Sequence, residues 1–249
     1  MRILLLDIET APNLAYVWGI FKENIPIQRI VASGYVLCWA AKWYGEEKIH
    51  FESVKDKSSK SMLINIHKML SEADVVIHYN GKSFDIPTLN KEFVTHGFKP
   101  PSPYKQIDLL QIVRASFRFP SNKLDYVSQA LGLGEKVRHP GFEMWVQCMA
   151  KDKTAWAEME KYNRQDVALL ESLYDRLKPW IRTHPNHGAY ADVTCCPKCG
   201  SEEFKRSGYA FTNAGKYQRF QCLNKSCGGW FRGHKGQNSN KERMLNIAA

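Results

Sequence analysis

Met1-Arg2-Ile3-Leu4-Leu5-Leu6-Asp7-Ile8-Glu9-Thr10 opens the chain, and the two acids that close its apolar run decide how the rest is read. The run from Arg2 to Ile8 predicts a buried strand. Side chains alternate faces along a strand, so Asp7 and Glu9 project the same way, close to each other. Like charges on one face repel, and nothing cationic sits beside them in sequence. Two readings stand at this point: a solvated strand end, or a pair that shares a metal ion.

With 249 residues, 44% hydrophobic and 12% aromatic, the chain can bury one sizeable core plus a small second one, which excludes wholesale disorder. A net charge of +10 favours a polyanionic partner, nucleic acid or an acidic membrane. From Cys195 onward ten Lys and Arg stand against three Glu, a net of +7, so the basic excess lies mostly at the C-terminal end. Arg2 is followed by only four apolar residues before Asp7, which predicts no secretory signal. The longest uncharged, mostly apolar run, Ile30 to Ala41, falls short of the roughly 20 residues of a membrane span, so no membrane partner is expected. Five of the seven cysteines lie between Cys195 and Cys227. Without a signal peptide that clustering predicts metal binding rather than disulfides, in a cytoplasmic protein.

Ile30 to Tyr44 and Lys48 to Val54 predict neighbouring antiparallel strands, and Ser61 to Leu70 an amphipathic helix. Asp74 to Tyr79 predicts a second buried strand, closed by the turn pair Asn80-Gly81. A helix is expected from about Pro87 to Thr95, ended by Gly97 and Pro100. Lys123 to Leu131 and the long run from Asp152 to Lys178 also read as helices, and Pro179 ends the second. An α/β domain over 1–180, a linker over 181–194, a small module over 195–233 and a flexible basic tail over 234–249 follow.

Three separated places carry acids in unusual settings. Asp7 and Glu9 end a strand, Asp85 stands at a strand-to-helix junction, and Tyr162 and Asp166 share one face of a late helix. Singly each has an ordinary explanation: a polar strand end, a helix cap, a core tyrosine, a solvated acid. Taken together, four carboxylates that converge at one end of a sheet suit a pair of hard divalent ions, Mg²⁺ or Mn²⁺, of the kind that clamps the oxygens in phosphoryl transfer.

Asp-x-Glu on the first strand, Asn80-Gly81-Lys82-Ser83-Phe84-Asp85, and Tyr162-x-x-x-Asp166 together resemble the DEDDy subclass of 3′→5′ exonucleases, within the ribonuclease-H-like, DnaQ-like superfamily. The resemblance covers roughly residues 1 to 180. It implies a mixed central sheet of about five strands flanked by helices. It implies further that Asp7 bridges two metal ions, that Glu9 and Asp166 complete the first ion's shell, and that Asp85 serves the second, partly through water. Tyr162 would orient the attacking water, and the product would be a nucleoside 5′-monophosphate. The sister subclass places a histidine five residues before the last acid; Lys161 stands there, so the tyrosine version matches better. Thr10, Asn80 and Phe84 match positions near the substrate. Asp108 reads as structural. Lys136, Arg138 and His139 suit phosphate contacts or a solvated loop about equally, and stay outside the catalytic set.

Cys196-Pro197-Lys198-Cys199 and Cys222-Leu223-Asn224-Lys225-Ser226-Cys227 bracket 22 residues, a spacing that suits one structural Zn²⁺ in a zinc ribbon. The second pair departs from the usual two-residue gap, and Cys195 could replace Cys196. The module's aromatic residues Tyr209, Phe211, Tyr217, Phe220, Trp230 and Phe231 are interleaved with Lys and Arg, a composition that suits stacking on bases as well as filling a thin core.

The expectation is a metal-dependent 3′→5′ exonuclease acting on single-stranded DNA or DNA 3′ ends, with RNA left open. Any proofreading would need a polymerase or another replication or repair protein as partner. A catalytically idle binding protein and a zinc-ribbon adaptor are the rival readings.

Overall fold

The computed structural model describes residues 1–137, 139–191, 193–213 and 215–237. Two compact units divide it: Arg2–Leu173, and the chain from Tyr174 onward together with Met1.

In the first unit β1 (Ile3–Thr10) is followed by β2 (Leu14–Ala15), β3 (Ile30–Ala32), β4 (Val36–Trp43) and β5 (Ile49–Ser53). Then come α1 (Ser59–Glu72), β6 (Val75–His78), α2 (Asp85–Thr95) and β7 (Lys105–Asp108). Helices α3 (Leu109–Ser116), α4 (Leu124–Ala130), α5 (Phe142–Met149) and α6 (Lys153–Leu177) complete it, the last turn of α6 belonging to the second unit. Five strands form one mixed sheet in the order β5-β4-β1-β6-β7. β1 is central, antiparallel to β4 and parallel to β6.

Alternation along β1 sorts its side chains. Leu4, Leu6 and Ile8 join Met62, Leu63 and Ile66 of α1 and Ile86 and Leu89 of α2 in one core cluster. Each fully buried Leu or Ile there contributes about 1.5–3 kcal/mol. Asp7 and Glu9 take the opposite face, where Leu37 and Cys38 of β4 pack with Met144 of α5 and with Trp156, Met159 and Tyr162 of α6. The result is a mixed sheet flanked by helices, the α/β architecture that the motifs imply.

One expected strand is broken. Ile30 to Tyr44 does not run straight: Ile30–Ala32 swings out to pair with Leu14–Ala15 in a separate two-stranded ribbon, and the sheet strand begins only at Val36. At the break the backbone is closely packed: a Cβ on Gly34 would stand 2.4 Å from the carbonyl oxygen of Ala11. Two helices, α3 and α5, were not legible in the periodicity; each is only eight residues long.

The turn after β6 is equally tight. Asn80 adopts φ +70°, and a Cβ on Gly81 would lie 2.4 Å from Cγ of the buried His78 ring. Asp108, at the end of β7, holds this turn. Its Oδ1 accepts from the Asn80 N–H at 2.9 Å and from the Leu110 N–H at 3.1 Å, and its Oδ2 accepts from the Lys82 N–H at 3.3 Å. The acid thus caps α3 and fixes the segment that leads to Asp85.

In the second unit β8 (Phe204–Thr212), β9 (Gly215–Cys222) and β10 (Trp230–Gly236) form an antiparallel sheet in the order β10-β9-β8. Phe204, Phe220 and Phe231 pack ring to ring. β10 runs past residue 233, so the first residues of the expected tail are paired strand, Gly236 opposite Tyr217; 238–249 lie outside the described residues. The expected linker over 181–194 is locally ordered. The His184 ring stacks between Tyr174 and His187, and a turn of 3₁₀ helix spans His187–Ala189. Among the described residues no helix is long and apolar enough to cross a membrane.

Gly81→Ala forces a methyl group into the His78 ring and is expected to destabilise the protein by about 1–3 kcal/mol, read as a lower denaturant midpoint with an unchanged slope. An unaltered midpoint would contradict the packing described for this turn.

Candidate active site

β6 pairs with β1 only over Ile3–Leu5, so Asp7 and Glu9 lie on the part of β1 that overshoots its parallel neighbour. Asp85, the first residue of α2, fills in there: its Oδ1 accepts from the backbone N–H of Ile8 at 3.1 Å. From the other side α6 brings Tyr162, Asn163 and Asp166. One carboxylate oxygen from each of Asp7, Glu9 and Asp166 lies within 4.8 Å of the others. Asp85 stands outside that triplet but beside it; after burial, its charge is the strongest influence on Asp7.

Neighbours hold the cluster rigid. Asn163 Nδ2 donates to Asp7 Oδ2 at 2.7 Å, and Trp145 Nε1 donates to Glu9 Oε2 at 3.2 Å. Lys136 Nζ donates to the Tyr162 hydroxyl at 3.0 Å and forms an ion pair with Asp166. The rings of His139, Trp145 and Tyr162 meet edge to face beside them. In sequence Lys136 and His139 suit a phosphate contact or a solvated loop equally, and Asn163 and Trp145 carry no signal beyond adjacency to a motif and an aromatic in a short helix. Arg138 lies outside the described residues.

This arrangement is electrostatically expensive. Burial, then Asp85, Asp166 and Glu9, push the Asp7 carboxyl well above the usual carboxylate range. Burial and the Asp166 charge push Glu9 up to about 8, and burial pushes Asp85 up to about 7. Asp166 is also raised, chiefly by burial, although Lys136 opposes the shift. Burial would lower the Lys136 ammonium, but Asp166 and Tyr162 outweigh it and hold it charged. Burial and Asp166 keep the Tyr162 phenol protonated. One ammonium cannot neutralise four carboxylates, and Asp166 Oδ1 is buried with no hydrogen-bond partner. Hard oxygen donors, converging and under-neutralised, fit divalent cations such as Mg²⁺ or Mn²⁺.

Of the four acids Asp7 lines a cleft of about 710 Å³, together with Tyr79, Asn80, Lys136, His139 and Tyr162 among others. Asn80 thus reaches the cleft, whereas Thr10 and Phe84 are not among its lining residues. Phe84 is instead the exposed residue before α2, and Thr10 sits at a bulge in the pairing of β1 with β4.

In the second unit Cys196, Cys199, Cys222 and Cys227 gather their sulfurs, each within 4.8 Å of the others. Cys195 is buried but does not join them. Cys196 Sγ lies 3.9 Å from Cys227 Sγ, and Cys199 Sγ 3.6 Å from Cys222 Sγ. These separations are far longer than a disulfide bond, ~2.05 Å. They approach the ~3.8 Å edge of a tetrahedron built on metal–sulfur bonds of ~2.3 Å. A four-sulfur set of this shape is compatible with a zinc ribbon.

A search among curated proteins returns no match. Among solved structures, the family B DNA polymerase from the hyperthermophilic archaeon Pyrobaculum calidifontis is similar in fold, with a TM-score of 0.55 at 19% identity over 72% of this chain. The likeness takes in 24% of the polymerase, so the chain spans about a quarter of that structure's length. The family model described as RNase_H superfamily matches residues 4–178. With the mixed sheet in place and well over half of the sequence matched, the chain belongs to the RNase_H superfamily.

Proposed function

We propose that this protein is a metal-dependent 3′→5′ exonuclease of the DEDDy type that trims single-stranded nucleic acid, preferring DNA. The observation that carries the reading is the buried, under-neutralised convergence of Asp7, Glu9 and Asp166, with Asp85 beside Asp7 and Tyr162 facing the same cleft. Membership of a nuclease superfamily and a fold shared with part of a DNA polymerase support it.

In hydrolysis a water oxygen attacks the terminal phosphorus, the bond to the 3′ oxygen of the preceding nucleotide breaks, and a nucleoside 5′-monophosphate leaves. Two Mg²⁺ or Mn²⁺ ions, held by Asp7, Glu9, Asp85 and Asp166, would supply activation of the water and neutralisation of the phosphoryl charge. The chain's own residues do the positioning. Asn163 and Trp145 fix the rotamers of Asp7 and Glu9 through the hydrogen bonds they donate. Tyr162, neutral across the working range, orients the water through its hydroxyl rather than removing its proton. Lys136 holds the Tyr162 oxygen from behind. Asn80 borders the cleft where the terminal nucleotide would sit; Thr10 and Phe84 flank the acids in sequence and remain candidates for the substrate's outer edge.

The four-cysteine set is proposed to hold one structural Zn²⁺, with the three-stranded sheet around it as a module that grips nucleic acid. On that sheet Arg219 lies over the Trp230 ring at 4.8 Å and Arg232 over Tyr217 at 4.0 Å. Rings paired with cations in this way suit bases and phosphates at once. Residues 1–180 would form the nuclease domain, 181–194 the connection and 195 onward the module. A separate polymerase or repair protein is the partner class this reading admits, and the cytoplasm its compartment.

The test is degradation of 5′-labelled single-stranded DNA, with matched RNA, in Mg²⁺ and Mn²⁺. A ladder that shortens from the 3′ end is expected. Asp7→Ala or Asp166→Ala should remove it, and Tyr162→Phe should slow it by about 10²-fold, since a neighbouring group that only positions the water is lost. Intact binding with no cleavage of either substrate would overturn the nuclease reading in favour of an idle binding protein. For the cysteine set, elemental analysis is expected to find one zinc per chain, lost in Cys222→Ser; a zinc-free yet folded wild-type protein would contradict it.

A further inference from the structure

The cleft beside the acids does not end at the acids. Arg114 and Asn122 line it as well, and these two residues also line a second cavity of about 440 Å³ at the C-terminal end of α3. Arg118 and the rings of Phe117 and Phe119, whose centroids are 5.7 Å apart, complete that second space. The lining changes character along this line. At the catalytic end it carries Asp7 and Asp125, and Asp125 is engaged by the Lys136 backbone N–H, from which it accepts at 2.9 Å. Beyond them the charged side chains are cationic: Lys123, Arg114 and Arg118.

These cations are not consumed by the protein itself. Among the described residues Arg114, Arg118 and Lys123 form no ion pair, whereas Lys42, Lys57 and Arg164 of the same unit all do. Arg114 and Arg118 are exposed. Arg114 sits in α3 and Arg118 on the loop that follows it, and that loop is anchored at the cleft, because Tyr79 donates its hydroxyl hydrogen to the Asn122 carbonyl at 2.6 Å. A cationic groove with paired rings, opening from an acidic reaction site, has the chemistry of a track for a phosphodiester strand: guanidinium groups for phosphates, aromatic faces for bases.

We propose that the groove over Arg114, Asn122 and Arg118, flanked by Phe117 and Phe119, binds the single-stranded segment upstream of the scissile 3′-terminal nucleotide. This rests on the nuclease reading for the strand's direction but not for its binding. The groove carries two guanidinium groups, so it contributes phosphate contacts that a dinucleotide, with a single phosphodiester, cannot fill together.

The measurement is fluorescence anisotropy of the full chain with 5′-fluorescein-labelled dT₁₀, rU₁₀ and dinucleotide, in Ca²⁺, across a salt series, beside degradation of the same oligomers in Mg²⁺. The double variant Arg114→Ala/Arg118→Ala is expected to weaken decamer binding and to flatten the slope of log affinity against log salt by about 1.4, two single-strand phosphate contacts at about 0.7 each. The preference of kcat/KM for decamer over dinucleotide should fall with it. Arg114→Lys/Arg118→Lys should restore most of the slope, and Lys60→Ala, on the exposed side of α1, should keep the parental value. Parental affinity and slope in the double alanine variant would overturn the groove, whether or not the protein cleaves. Loss of slope in the double alanine variant, together with a wild-type protein that binds but does not cleave, would support the groove while removing the catalytic reading.

Discussion

Mutual repulsion among carboxylates at one end of β1 is the constraint around which the first unit is arranged. Removing one carboxylate from water is costly, and gathering several is worse. Left alone, the cluster answers by holding protons more tightly: burial and neighbouring charge push Glu9 up to about 8, and burial pushes Asp85 up to about 7. A fold that stored stability would have placed apolar residues here. Keeping the acids costs stability that only a positive ligand returns, and Lys136 supplies one charge towards it.

The surrounding architecture reads as support for that arrangement. β1 overshoots β6, which leaves room for Asp85 to satisfy the Ile8 N–H and come beside Asp7. Asp108 pins the tight turn that carries the chain from β6 to Asp85. α6 sends Tyr162, Asn163 and Asp166 from one helical face, and Asn163 locks Asp7. Apolar packing on the opposite face of the sheet holds β1 straight beneath all of this.

Much of this was legible from residue order, and the reasons are physical. An apolar run ending in alternate acids needs a partner charge, and the spacing of Tyr162 and Asp166 puts both on one helical face; long periodic segments such as α1 and α6 declare themselves. What stayed hidden depends on three-dimensional closeness. Trp145 reaches Glu9 across 136 positions in sequence, and Lys136 reaches Asp166 from a glycine-rich loop with no motif of its own. At the break Gly34 packs against Ala11, a contact that no local pattern encodes. Thr10 and Phe84, placed near a substrate by motif alone, do not line the cleft, because motif adjacency says nothing about the direction a strand end or a helix-capping residue takes.

The central claim, that the acidic cluster awaits a divalent cation, is tested most directly by thermal stability against pH with and without added Mg²⁺. Folded-state carboxyl pKa values raised above the unfolded ~4 mean that the folded chain holds the extra protons. Their stabilising contribution is therefore complete below about pH 4 and is lost as pH rises through the folded values near 7 and 8. Mg²⁺ competes with those protons. It should raise the melting midpoint at pH 8 by about 2–4 °C or more, do little at pH 5, and lose much of its effect in Asp7→Asn. A midpoint indifferent to Mg²⁺ at both pH values, or an Asp7→Asn variant that responds as the parent does, would contradict the account.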